Sequence, residues 1–369
     1  MQRAGHETVG GVDRGALVAA LSLLLVGLLF LYSASAPFSN RYFGSSAHLF
    51  VKQLVAVGIG AMAAAVLARF DYHRFRHMDD LLMIGAFALV LVTILPLGGV
   101  VNGRWLRLGP FDVQPTEFLK LALIVYLACT IERKGAGMQR FATGVLPFVV
   151  VVSVIGLVVL QQPDLGMVLV IAAVTGAMLF LGGARLPHLM AVAAAAAPMA
   201  CLAVLWAPYR VARLMAFLSP EAHSASFGYQ GLQSLMAIGS GGILGRGLGA
   251  SRAKLFYLPQ AHSDFVFSVA AEETGMVGAL LLLALFATLA WRSVCIARRA
   301  PDALGRLLAL GIGFALVFQA IVNVGVAVGL LPVTGLTLPF VSHGGSSMIV
   351  TLAMVGLLLG VSRRCGGAR

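Results

Sequence analysis

The feature that most limits what this chain can become is a series of ten apolar runs, each close to the roughly 20 residues a helix needs to cross a bilayer. They lie near 15–35, 49–69, 81–98, 116–131, 144–161, 164–182, 187–207, 265–291, 307–330 and 346–362 of the 369 residues. Water could not accommodate them all. With 60% hydrophobic and 11% charged residues and a mean hydropathy of +0.95, the chain has too little polar side chain to coat a soluble surface. The expected fold is an all-α polytopic membrane protein of about ten transmembrane helices, with a long extracytoplasmic loop between the seventh and eighth.

Charge orients this frame. In a soluble protein a formal charge of +12, from 26 Lys and Arg against 14 Asp and Glu, would raise nucleic-acid binding. In a membrane protein it reports which loops stay in the cytoplasm, because short inner loops retain basic residues. With the N-terminus inside, the outer segments hold Arg41, Arg104, Arg107, Arg210, Arg213, Arg246, Arg252 and Lys254, and the inner ones hold twice as many, from Arg3 to Arg369. Both termini are therefore expected in the cytoplasm: residues 1–14 as a short N-terminus and 363–369 as a tail, around one membrane domain of 15–362. The first run is too long for a signal peptide and is expected to be retained. Cys129, Cys201, Cys295 and Cys365 are scattered, with no spacing that suggests disulfides or a zinc site.

The outer segments are not ordinary connectors. Residues 208–264 contain GYQGLQSLMAIGSGGILGRGLG and then SRAKLFYLPQAHSDF, a long stretch with an apolar, glycine-rich middle. Such a segment is expected to lie at the interface or re-enter the protein. Its glycines resemble a phosphate-cradling loop, but no GK[ST] ending follows, and close backbone packing explains them better. At its end Asp264 directly precedes an apolar run. It either caps the helix or serves as a general base at the water boundary, where partial burial raises a carboxyl pKa. Nearby Lys254, Arg252 and His262 suit an anionic ligand. Glu272 and Glu273 fall about two turns deeper, where an ionised group must be paired, hydrated or part of a cavity. Glu117 and Lys120, spaced i,i+3, are expected to pair.

Two further outer segments carry chemistry. In VNGRWLRLGPFDVQPTE, Arg104 and Arg107 stand outside against the orientation rule, which points to phosphate or pyrophosphate, while Trp105 anchors at the interface. LLPVTGLTLPFVSHGGSS can only be irregular backbone, tolerated where it lines a cavity; it includes Pro339, Ser342, Gly344, Gly345 and Ser346. At the short QQPDLG turn, Asp164 either caps a helix or faces the same cavity.

Taken together, RWLRLGPFDVQPTEFLK, QQPDLG, YRVARLMAFLSP, QSLMAIGSGGILGRGLG, KLFYLPQAHSDFVFSVAAEETG and GLTLPFVSHGGSS resemble, in order and over nearly the whole chain, the SEDS family of peptidoglycan polymerases. KLFYLP and GLTLPF are closer to its division-type than to its elongation-type members. The resemblance implies a glycosyltransferase that polymerises lipid II at the outer face of the cytoplasmic membrane, with a class B penicillin-binding transpeptidase (FtsI-like) and other division proteins as partners. It also implies that Asp264 is the catalytic residue. Ser263 stands where the family has Thr, Gln260 where Glu is frequent and His343 where Tyr is usual. Mechanistically, Asp264 would be the base for an acceptor hydroxyl. Candidates to bind donor or pyrophosphate are Arg104, Arg107, Arg210, Arg213, Lys254, His262, Ser263, Ser342 and Ser346. A divalent cation, Mg or Mn, could share that work, although no ligand cluster demands one. A lipid flippase and a non-catalytic scaffold are the alternatives.

Overall fold

The computed structural model describes residues 11–95, 100–101, 103–109, 111–162, 164–223 and 227–365, so the outermost residues of both termini and Pro163 lie outside the described residues. Ten helices overlie the ten apolar runs: α1 (Arg14–Phe43), α2 (His48–Leu67), α3 (Asp79–Val92), α4 (Pro115–Lys134), α5 (Leu146–Gln161), α6 (Leu165–Leu181), α7 (Leu186–Leu205), α10 (Val266–Arg299), α11 (Ala303–Ala327) and α12 (Gly345–Arg364). Two more, α8 (Pro208–Leu218) and α9 (Phe227–Gly241), occupy much of the segment that its apolar, glycine-rich sequence marked as a loop. Among the described residues, seven helices are long and apolar enough to span a bilayer on their own: α1, α2, α5 with the turn before it, α7, α10, α11 and α12. The protein is a multi-pass membrane protein.

The bundle is layered from the inside outward. α12 is the centre: most of its apolar stretch is covered, chiefly by α2, with α4 and α11 also against it. Glycines permit that fit, since a β-carbon at Gly356 or Gly60 would collide with the facing helix. At the opposite extreme, α7 buries none of its residues and rests on the core through the partly buried Leu189 and Val192. α4 carries Glu117 and Lys120 through the interior because they pair at 2.6 Å, and Lys120 also donates to Gln319 Oε1 of α11 at 2.7 Å. Pairing of this kind is what makes two buried charges tolerable in hydrocarbon.

Two local structures depart from an all-helical reading. Three short strands, β1 (Val100–Val101), β2 (Trp105–Leu108) and β3 (Phe111–Val113), form a small antiparallel sheet in which Arg107 opposes Asp112. Alternation of polar and apolar residues in RWLRLGPFDV, with a Gly-Pro turn, is a hairpin signal that the hydropathy of the flanking runs hides. The second departure is a break in α10 at Gly275, whose φ of 67° and ψ of −165° are open to glycine alone. Residues 242–247 fill the gap. Arg246 and Gly247 amides donate to the carbonyls of Glu272 and Glu273, and the Met276 and Val277 amides donate to those of Gly242 and Ile243. A β-carbon at Gly241 or Gly245 would strike the backbone of α10, so these glycines serve close backbone approach.

Candidate active site

Asp264 ends the outer segment one residue before the N-cap of α10, and no side chain caps that helix. The carboxylate is therefore not spent on helix amides. Its main chain is fixed instead: Asn323 Nδ2 of α11 donates to the Asp264 carbonyl at 2.9 Å and to that of Leu336 at 2.7 Å, joining two irregular segments. Ser342 accepts from the Leu338 amide at 2.8 Å and donates to the Ser263 carbonyl, and the His343 amide donates to the His262 carbonyl at 2.9 Å. Gln53 of α2 closes the same corner, donating to the Ser342 carbonyl and accepting from the Gly344 amide. Thus the HSD segment rests on the loop from Gly335 to Gly345. Pro339 is buried in that loop, and Gly345 packs near Ala56.

The side chains around the carboxylate carry the electrostatics. A β-carbon at Gly335 would lie 3.7 Å from Asp264 Oδ2 and 4.0 Å from Arg104 Nη1, so a bare glycine with φ of 77° keeps the space between them open. Arg104 is held by the Gln162 carbonyl at 2.6 Å and stands 3.9 Å from Asp164 Oδ2. Arg213 Nη1 donates to the Val333 carbonyl at 3.3 Å. Burial pushes the Asp264 carboxyl up to about 6, with the Ser263 hydroxyl and then Arg213 and Arg104 opposing and Asp164 adding to the rise. The residue keeps partial exposure while its carboxylate is sunk in the site. Asp164 is raised too, chiefly by burial. It does cap α6, accepting from the Met167 amide at 3.1 Å, and it also accepts from Gln114 Nε2 at 3.2 Å.

The remaining candidates have other occupations. Lys254 donates to Glu273 Oε1 at 2.8 Å, Ser33 Oγ at 2.7 Å and the Gly249 carbonyl at 2.6 Å, so its three hydrogens are engaged away from Asp264. Arg210 joins helix ends, donating to the Ala203 and Leu160 carbonyls of α7 and α5. Arg107 is exposed and stands 3.5 Å from Asp112. Ser346 accepts from the Gln114 amide at 2.9 Å, tying the end of the sheet to α12. Glu272 collects donors from the preceding segment: Ser251 Oγ at 2.5 Å, the Arg252 and Ala253 amides at 3.1 Å, and Ser240 and Arg246. His262 and His343 lie ring to ring at 5.9 Å, both pushed down to about 4 by burial.

Sequence reading missed Gln53, Gln114, Gln319 and Asn323. The signal was present: Gln319 and Asn323 are four apart in an apolar run, hence on one helix face, and an amide at that depth needs a partner. Among the described residues, no three His, Cys, Asp or Glu side chains converge as a metal cage. What the site offers is a donor-poor carboxylate near two guanidinium groups, an arrangement that could serve as a base beside an anion subsite.

The chain is similar to proteins of known sequence and structure. It is 41% identical over 349 residues, 94% of this chain and 92% of the relative, to the probable peptidoglycan glycosyltransferase FtsW of Trichlorobacter lovleyi. It is 40% identical to the stage V sporulation protein E of Bacillus subtilis, with 94% and 96% covered. Among solved structures, it matches a chain from a peptidoglycan synthase complex that coordinates polymerization and crosslinking (TM-score 0.76, 32% identity, 95% and 98% covered). It also matches the rod shape determining protein RodA of Thermus thermophilus (TM-score 0.67, 30% identity, 95% and 97% covered). Residues 14–365 match the family model of the cell cycle proteins FtsW, RodA and SpoVE, and the chain belongs to that family.

Proposed function

We propose that this protein is a peptidoglycan glycosyltransferase of the division type, polymerising lipid II at the outer face of the cytoplasmic membrane with both termini inside. The observation that carries the reading is the raised carboxyl of Asp264 opposite Arg104 and Arg213. Glycan extension needs a hydroxyl of one sugar to attack the anomeric carbon of another, expelling a polyprenyl pyrophosphate. The leaving group is already activated. The protein must supply a base tuned near working pH, cations for the charge that develops on the pyrophosphate, and alignment. Asp264 takes the hydroxyl proton, and Arg104 and Arg213 receive the pyrophosphate. Asp164 holds Arg104 in place. A divalent cation, where the reaction takes one, would be held by pyrophosphate oxygens with Asp264 or Asp164, since the described residues form no closed cage.

The partners proposed are a class B penicillin-binding transpeptidase and other division membrane proteins. A transporter reading draws support from one observation, the broken α10, because transporters place sites at interrupted helices. Against it, α1 and α7 stay continuous despite Pro37 and Pro198, and the raised carboxyl sits at the end of α10, not at its break. The test is polymer formation from labelled lipid II by the purified protein with its transpeptidase, read on a gel. Polymer from the parent and none from Asp264→Asn supports the reading. Vesicle translocation of lipid II without polymer would replace it with the transporter.

A further inference from the structure

Besides the Asp264 site, the structure holds a cavity of about 420 Å³ on the outside of the bundle. One wall is a face of α1, with Leu29, Tyr32, Ser33, Ala36 and Pro37; the other is Leu248 and Gly249. Leu29, Tyr32 and Leu248 are exposed, so the mouth opens to lipid. The floor is the Lys254–Glu273–Ser33 cluster, which is nearly neutral because Lys254 and Glu273 pair with each other. Glu273 is 1% exposed, yet its Oε2 has no hydrogen-bond partner. A buried carboxylate oxygen left unpartnered costs stability.

The α1 face continues past the cavity in register. Leu29, Ser33, Pro37 and Arg41 follow at four-residue intervals, one stripe along the helix. Arg41 is exposed, and its guanidinium lies over the Phe256 ring at 4.7 Å, two residues beyond Lys254. The apolar lane thus ends at a cation. Depth can be read from the helix rise of about 1.5 Å per residue. Ser33 bonds Glu273 at 2.6 Å. From that level Arg41 stands eight residues outward on α1 and Asp264 nine residues outward on the α10 side, both roughly 12–14 Å away. Phe38 touching His262, ring centroids 4.6 Å apart, ties the two at the same height.

We infer that the lane from Leu29 to Arg41 is a binding site for the chain of a single-chain polyprenyl phosphate or pyrophosphate, its apolar part against Ala36 and Leu248 and its anionic end at Arg41, level with Asp264. One lane bounded by a helix and a glycine-flanked turn fits one chain better than the two of a glycerophospholipid. The inference rests on the glycosyltransferase reading only for why such a lipid is present; binding itself is independent of catalysis.

The test uses the full-length protein in nanodiscs with a polyprenyl phosphate bearing a photoreactive group in its chain. The expected result is labelling concentrated on 29–37 and 248–249 and competed by unlabelled polyprenyl phosphate. Labelling should fall at least tenfold in Ala36→Trp, fall severalfold in Arg41→Gln, and be unchanged in Asp264→Asn. Equal labelling of α7, or equal competition by excess phospholipid, would overturn it, showing boundary lipid or a phospholipid site. A protein that binds the probe in this pattern yet makes no polymer would sink the proposed function and leave the lipid site standing.

Discussion

Two carboxylates, Glu272 on the broken helix α10 and Asp264 just before its start, have opposite fates. Glu272, deep in the bundle, collects donors from Ser251, Arg252, Ala253, Ser240 and Arg246. Asp264, at the outer end, has only the Ser263 hydroxyl at its side chain and two arginines held elsewhere, and its carboxyl is pushed up to about 6. Satisfied carboxylates build structure; an unsatisfied one is available for chemistry. The break at Gly275 makes the contrast possible. It frees backbone carbonyls that bind residues 246–247, so the segment leading to Asp264 is anchored by Glu272 and Glu273 and leaves Asp264 out of the network.

The comparison breaks first at Asp264. Asp264→Asn should lower the polymerisation rate by about 10²–10⁴, the span of a lost general base, with the fold intact by circular dichroism. Glu272→Ala should do the reverse, since it strips partners from a buried cluster. Unfolding stability should fall by about 3–5 kcal/mol, read by thermal unfolding in detergent, and a variant as stable as the parent would erase the distinction. Gly245→Ala should cost about 2–3 kcal/mol, because φ is 79° there and the new methyl meets the Glu273 carbonyl. The smallest effect is a gain. A carboxyl whose folded value is raised above its unfolded one favours folding at low pH, and that advantage is lost as pH rises from about 4 through about 6. At pH 7.5 Asp264→Asn should therefore be more stable than the parent by about 2 kcal/mol, with the difference gone at pH 4.

How far the sequence reached differs between the two regions for a physical reason. The helices were legible because lipid demands unbroken apolar length, and Asp264 because a charge stands where an apolar run begins. Glu117 and Lys120 were legible as a pair from their spacing alone. The cluster around Glu272 was not, because the partners of a buried carboxylate come from Ser240 to Ala253, and no periodicity links those positions to α10. Arg210 and Lys254 show the same limit from the other side: an arginine bonded to helix-end carbonyls and a lysine paired with a glutamate look, in sequence, like any outer cation. Among the described residues Arg104 and Arg213 are the cations that act on the carboxylate, and nothing in their local sequence separates them from Arg107 or Arg210.

The most direct test of an available carboxylate is the pH dependence of polymerisation. With saturating lipid II, the initial rate of the purified complex should rise tenfold per pH unit below about 6 and level off above it, because the base must be ionised to accept a proton. A profile flat from pH 5 to 8 would contradict the account.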